Sequence, residues 1–161
     1  MRRIAAGLAA LSLALGLGLE PAHASSAEDE ALARINAARA QAGCRALKRD
    51  DRLQATARSH ARAMAEQDFF SHVGKDGSTF GDRIRSSGYL FSMAAENIAA
   101  GQPTGAGVVA EWMGSAGHRK AILTCRFRHT GIAMVYQRDD KPIGGNSFAL
   151  KYYWVQVFAR P

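Results

Sequence analysis

The sequence lacks most of the features that mark common functional classes. It has only two cysteines in 161 residues, which is too few for a disulfide-dense scaffold, and two distant cysteines make a poor metal site. It has no run of five basic residues, no HExxH metal-ligand spacing, no GxSxG nucleophile elbow and no P-loop. Residue spacing alone therefore specifies no catalytic site.

The one long uncharged stretch lies at the N-terminus. Two arginines precede residues 4–19, and residues 22–24 (Ala-His-Ala) form a small-x-small cleavage pattern. The uncharged run has 16 residues, which is short for crossing a bilayer, although a membrane anchor is the alternative interpretation. We predict an export signal at residues 1–24, a single domain at residues 25–161, and a secreted or periplasmic protein.

The positive charge of the chain does not identify a partner. Cleavage removes two arginines and one glutamate, so the formal net charge falls from +7 to +6. The basic residues are scattered, which is typical of a solvated surface, although attraction to anionic envelope polymers or lipid headgroups is the alternative. Export makes nucleic acid a poor target. We expect a monomer.

Cys44 and Cys125 form an even pair in a chain that is predicted to be exported. An even count in this setting predicts one disulfide, which would close a loop of about 80 residues and contribute several kcal/mol in the chain-entropy model. The alternative is two buried free thiols.

Apolar periodicity divides the chain into an early helical part and a late strand part. Helical spacing and capping residues predict helices at residues 30–42 (after a cap at Ser26), 51–67, 79–87, 104–112 and 118–123. Alternating residues at 130–136 and 150–158, separated by a Gly-rich stretch, predict an antiparallel hairpin. Helices first and strands late favour an α+β fold.

Two histidines and one acid stand out from these regular elements. His72 and His118 each lie in or beside a Gly-containing turn, where a histidine is either a capping group or a site residue. Glu96 is the single acid in an apolar run, and a buried carboxylate needs a partner. Histidine is the most available partner. His60, on a predicted helix, and His129, at the start of a predicted strand, are interpreted as packing or surface residues.

Five short motifs occur in a fixed order along nearly the whole predicted domain. They are FFSH…DG from Phe69, R-I-x-x-x-G-Y from Arg83, A-E-N-I-A-x-G from Ala95, W-M-x-S-x-G-H-R from Trp112 and YW-x-Q-x-F from Tyr153. Together they resemble the bacterial branch of the CAP superfamily, which contains the cysteine-rich secretory proteins, antigen 5 and the pathogenesis-related proteins. The resemblance implies a three-layer α-β-α sandwich with a central antiparallel sheet.

The resemblance also implies a cleft that in some members binds a divalent metal. His72 matches the first cleft histidine, Glu96 the acid of the G-E-N-[IL] motif (with Ala95 in place of its glycine), and His118 the second histidine. Ser71, Asn97 and Ser115 would lie in the same cleft. Ser115 stands where animal and plant members often have a second glutamate, which weakens the case for tight metal binding.

Three functions are compatible with these residues. The favoured one is an extracellular or envelope binding protein that requires no cofactor, with a lipid or sterol as one ligand class. An apolar segment within residues 69–93, made up of Phe69, Phe70, Tyr89, Leu90, Phe91 and Met93, would supply a groove for it. The second is a hydrolase in which His72, His118 and Glu96 hold Zn²⁺ or another divalent cation and an acidified water. The third is a structural interaction module. No general base or oxyanion donor can be named, so binding is favoured over catalysis.

Overall fold

The computed structural model describes residues 20–145 and 147–161. These residues form five helices and four strands, which belong to an α+β fold. The elements are α1 Glu20–Gln41, β1 Lys48–Arg49, α2 Asp51–Glu66, α3 Phe80–Ser86, β2 Met93–Ala100, α4 Gly105–Gly114, α5 Ala116–Ile122, β3 His129–Tyr136 and β4 Tyr152–Arg160. Most of the predicted export signal, residues 1–19, lies outside the described residues, and the boundary after Ala24 stays a prediction.

The four strands form one sheet in the order β1-β3-β4-β2. Strand β4 pairs antiparallel with β3 on one side and with β2 on the other. The predicted hairpin is confirmed, because Tyr136 and Tyr152 are opposite each other at its turn end. Strand β1 is short and pairs parallel with β3, so the sheet departs from the predicted antiparallel arrangement at that edge.

Helices cover both faces of this sheet. Successive side chains of β4 point to opposite faces. Trp154 and Phe158 pack against α1, α4 and α5, whereas Val155 and Val157 pack against α2 and α3. The alternation gives two cores separated by one sheet, which confirms the predicted α-β-α layering.

The helices α2, α3 and α4 begin where the sequence predicts. Asp50 accepts hydrogen bonds from the backbone of Arg52 and Leu53 at the start of α2. Thr79 and Asp82 form a reciprocal capping box at the start of α3. Thr104 accepts from Gly107 at the start of α4. Each cap is a local interaction, so local sequence is enough to locate it.

Two features differ from the sequence expectations. Helix α1 starts at Glu20 and runs through Ser26, so the predicted cap at Ser26 is wrong for the described chain. A cap forms only where the backbone leaves the helical conformation, and the preceding residues are helical here. Strand β2 was not predicted, because its alanines, Glu96 and Asn97 have little strand propensity. Its pairing with β4 places it in the sheet.

Helix α1 is attached to the rest of the domain through a buried carboxylate. Glu28 accepts hydrogen bonds from Arg58 and Gln54 of α2 and from the backbone N–H of Met134 in β3. Burial raises the pKa of Glu28, while the Met134 N–H and the Arg58 guanidinium act in the opposite direction. One side chain therefore links three elements.

The loop that carries Cys125 is held by a disulfide and by a buried arginine. The predicted Cys44–Cys125 bridge is confirmed, with the two Cα atoms 4.7 Å apart. Arg39 is fully buried and donates hydrogen bonds to four backbone carbonyls. They belong to Arg45, Ile122, Thr124 and Phe127. Burial lowers the pKa of Arg39.

We expect Arg39→Met to lower the free energy of unfolding by about 3 kcal/mol, because it leaves buried carbonyls without donors. Urea denaturation with the disulfide intact measures this effect. Arg34→Met is the matched control, since Arg34 lies on the same helix but is exposed, and its effect should stay within about 0.5 kcal/mol. Equal losses in the two variants would contradict a bridging role for Arg39.

Candidate functional site

The three predicted site residues come from three separate segments. His72 lies in the loop between α2 and α3, Glu96 in strand β2 and His118 in helix α5. Polar turns shape the His72 loop: Ser71 Oγ accepts the Val73 N–H, and Asp76 Oδ1 accepts the Ser78 N–H. Ser71 thus stabilises the turn at the predicted cleft through the hydrogen bond that its hydroxyl accepts from the backbone of Val73.

His72 and Glu96 form a hydrogen-bonded pair. The Nδ1 atom of His72 lies 2.9 Å from Oε1 of Glu96. The Glu96 side chain has no solvent exposure, whereas the His72 side chain is 49% exposed. A carboxylate accepts hydrogen bonds, so Nδ1 carries the proton and Nε2 carries the lone pair in the neutral ring. The buried acid therefore fixes the orientation of a half-exposed imidazole.

Arg83 of α3 completes this pair. Its Nη2 atom donates to Oε2 of Glu96 at 2.8 Å and to the backbone carbonyl of His72 at 3.0 Å, and its Nη1 atom donates to the carbonyl of Ser78 at 2.9 Å. Both carboxylate oxygens of Glu96 are therefore engaged. The buried Nε atom of Arg83 has no hydrogen-bond partner among the described residues.

The sequence reasoning missed Arg83 as a site residue. A buried acid indicated the need for a partner, but histidine was the expected one. Arg83 belongs to the R-I-x-x-x-G-Y motif, and the buried Ile84 beside it anchors α3. That combination was the available signal. The motif distinguishes Arg83 from Arg85, which lies two residues further on and is exposed, but it does not indicate that Arg83 contacts Glu96.

His60 lies behind the His72 loop. It is buried, its Nε2 atom is 2.9 Å from the carbonyl of Ser71, and its ring meets the edge of Phe69. Burial lowers the pKa of His60, and nearby Glu96 has a smaller opposing influence. The predicted packing role of His60 is confirmed, since it supports the residue next to His72.

His118 approaches from the opposite side of strand β2. This strand is at the edge of the sheet, and its neighbouring residues Glu96 and Asn97 point to opposite faces. Asn97 is buried and donates from Nδ2 to the carbonyl of His118 at 3.2 Å. Burial, followed by the charge of His72, lowers the pKa of His118.

The part of the predicted cleft around His118 and Ser115 has fewer hydrogen bonds than the part around His72. The Nδ1 atom of His118 is buried and has no hydrogen-bond partner among the described residues. Ser115 precedes α5, and its side chain makes no capping hydrogen bond. Strand β2 thus has an ordered, charge-paired group on one face and, near the other, one buried imidazole nitrogen without a partner among the described residues.

A divalent ion bound to Glu96 does not fit this arrangement. Both oxygens of Glu96 are engaged, one of them by a guanidinium cation. Within residues 20–145 and 147–161, no three side chains of His, Cys, Asp or Glu are grouped so as to hold a metal. We therefore derive no reaction step through a metal. Zn²⁺ binding by this chain stays a prediction.

A cavity of about 490 Å³ lies between α2 and α3 and reaches Arg83, although neither His72 nor Glu96 lines it. His60 and Arg83 line it together with small or polar side chains, and none of its lining residues is a large aliphatic or aromatic residue. The others are Ala55, Thr56, Ser59, Ala63, Gln67, Gly74, Lys75, Asp76, Ser78, Asp82, Ser86 and Ser87.

The predicted apolar groove does not line this cavity. Tyr89 is buried, and Phe69 and Phe91 pack against the core. Leu90 and Phe70 are exposed, at 84% and 44%. Lipid or sterol binding through this segment stays a prediction.

We expect His60 to make stability depend on pH. Its folded pKa lies below the ordinary value of 6.5, so its contribution to stability is fully present above pH 6.5 and is lost as the pH falls through the folded pKa. His60→Gln keeps a donor for the Ser71 carbonyl but does not titrate. Urea denaturation at pH 7.5 and pH 5.0 should therefore show a smaller loss in this variant than in the wild type.

Ser59→Ala, at the exposed residue before His60, is the control and should keep the wild-type loss of stability. The interpretation fails if His60→Gln and wild type lose the same free energy of unfolding between the two pH values.

Comparisons with known proteins agree with the fold and the motifs. A sequence model described as the cysteine-rich secretory protein family, CAP, matches residues 32–158. The uncharacterised protein YkwD of Bacillus subtilis is 38% identical over 116 residues, covering 71% of this chain and 45% of YkwD.

Solved structures give the same result. An extracellular protein with an SCP domain from Bacillus anthracis superposes with a TM-score of 0.72 at 25% identity, covering 86% of this chain and 41% of that one. An outer surface protein of Borrelia burgdorferi has a TM-score of 0.69 at 22% identity, covering 80% of this chain and 88% of that one. The chain spans less than half the length of YkwD and of the Bacillus anthracis protein. Since the family match covers nearly the whole described domain, the chain belongs to the cysteine-rich secretory protein (CAP) family.

Proposed function

We propose that this chain is an exported binding domain whose cleft recognises a polar, hydroxyl-bearing component of the cell envelope. The observation that carries the proposal is the oriented imidazole of His72. The buried carboxylate of Glu96 binds its Nδ1 edge and is itself held by the Arg83 guanidinium, and the His72 side chain is 49% exposed. Fixing one exposed polar group on an ordered support is how binding sites obtain orientation and specificity.

The chemistry of the cleft favours a ligand that donates hydrogen bonds. In its neutral form His72 presents the lone pair of Nε2, which accepts from a hydroxyl or an N–H group. The adjoining cavity supplies further polar partners, including the hydroxyls of Ser59 and Ser86. Its volume of about 490 Å³ falls within the usual range for small-ligand sites. A saccharide unit of an envelope polymer combines these properties.

Three observations support a location outside the cytoplasm. The first residues have the pattern of an export signal. The Cys44–Cys125 disulfide is typical of oxidising compartments. The similar solved structures include an extracellular protein and an outer surface protein. Among the described helices, none is long and apolar enough to cross a membrane.

The hydrolase alternative has weaker support. A Glu–His pair can orient a general base, which is the observation in its favour. However, no hydroxyl or thiol is hydrogen-bonded to Nε2 of His72 within the part of the chain that the structure describes. The structural-module alternative does not explain why an ordered imidazole is left half exposed. Binding is the simpler use of this geometry.

We expect soluble oligosaccharides to perturb the cleft. Titration of the ¹⁵N-labelled protein with chitotetraose, cellotetraose and a soluble muropeptide should give saturable amide shifts around His72 for at least one of them. His72→Ala should weaken that binding at least tenfold, a loss of about 1.4 kcal/mol. His129→Ala is the control, because His129 pairs with Tyr89 outside the cleft, and it should change the affinity less than twofold.

Phosphatidylglycerol vesicles, with and without cholesterol, provide the opposing test. Binding to vesicles in the absence of any saccharide shift would contradict the proposal and favour the apolar segment of residues 69–93. Equal saccharide affinity in wild type and His72→Ala would show that the oriented imidazole is not the recognition group.

A further inference from the structure

Arg83 occupies the position at which a metal would have to meet Glu96. The guanidinium lies 2.8 Å from Oε2, and Oε1 is bonded to His72. A divalent ion that bound this carboxylate would have to replace one of these bonds. It would also stand next to a positive charge in a desolvated region, where electrostatic repulsion is strong. The carboxylate therefore already has its counter-ion.

Several contacts prevent Arg83 from leaving this position. Its side chain is only 13% exposed and donates to three acceptors, one of them ionic and two of them loop carbonyls. Ile84, the next residue, is fully buried in the core. The capping box of Thr79 and Asp82 fixes the start of the helix that carries both residues. Moving the guanidinium would leave these carbonyls unpaired and expose a buried carboxylate.

We propose that Arg83 is the resident cation of the cleft and excludes divalent metal ions from Glu96. This inference rests on the proposed function in that it defines the ligand class of the same cleft. The ligand meets an imidazole lone pair rather than a metal, and binding is independent of divalent ions. Arg83 is also a positioning residue, since it holds the backbone carbonyl of His72 as well as the carboxylate that orients the ring.

Zinc titration by calorimetry tests the proposal without any saccharide. Four proteins are compared: wild type, Glu96→Gln, Arg83→Met and the double variant Arg83→Met/Glu96→Gln. Arg85→Met is the matched control, because Arg85 lies on the same helix but is exposed and does not contact Glu96. Amide NMR spectra establish that each variant is folded.

We expect Glu96→Gln to weaken any Zn²⁺ binding through His72, because Glu96 orients this imidazole and supports it as a ligand through Nδ1. Arg83→Met should raise Zn²⁺ affinity at least tenfold by freeing Oε2. Removing the carboxylate in the double variant should cancel that gain. Arg85→Met should match the wild type.

Two results would overturn the proposal. One is a Zn²⁺ affinity of the double variant at least tenfold above that of Glu96→Gln, since the gain from removing Arg83 would then not depend on the carboxylate. The other is a gain of less than tenfold in folded Arg83→Met. If that variant does not fold, Arg83→Gln, which keeps a donor for a loop carbonyl without the charge, takes its place in the same comparison. The saccharide titrations are a separate experiment, carried out in EDTA so that no divalent ion is present. A failure of metal exclusion and a failure of saccharide binding are therefore distinguishable.

Discussion

The pairing of β4 with both of its neighbours is the constraint on which the rest of the domain depends. The strand is buried from Tyr153 to Ala159, and its alternating side chains enter both cores. It also determines where β2 lies, since β2 pairs with no other described strand. Strand β2 brings Glu96 to one face of the sheet edge and Asn97 to the other. The cleft is therefore a consequence of how an edge strand is held.

Arg39, which is buried, and Arg83, which is 13% exposed, have comparable roles in this fold. Arg39 binds four carbonyls around the Cys125 loop, and Arg83 binds two carbonyls of the His72 loop together with Glu96. A guanidinium suits this task because its five N–H donors point in fixed directions within one plane. Irregular segments carry carbonyls that neither helix nor sheet satisfies. Arginine lets such segments pack against the sheet without losing hydrogen bonds.

Local interactions explain which parts of the fold could be predicted from the sequence. Helix caps, apolar periodicity and the alternating residues of β3 and β4 depend on near neighbours. The predicted caps of α2, α3 and α4 and the β3–β4 hairpin are confirmed, whereas the predicted cap at Ser26 is wrong. Strand β2 depends on a partner more than fifty residues away and has no propensity of its own. At the site, the motifs identified His72, Glu96 and His118. The partner of a buried acid is chosen by three-dimensional packing, so Arg83 could not be selected.

The position of β4 along the chain has a consequence for the order of folding. Every other described element precedes it in the chain. Its two neighbours in the sheet, β2 and β3, cannot form their hydrogen bonds with β4 until β4 has been made. A nascent chain emerges from the ribosome N-terminus first, so α1, α2 and β2 are synthesised before the strand they need. Local helices can form and melt meanwhile, but the cores cannot close. The two cores therefore close only after β4 has been synthesised.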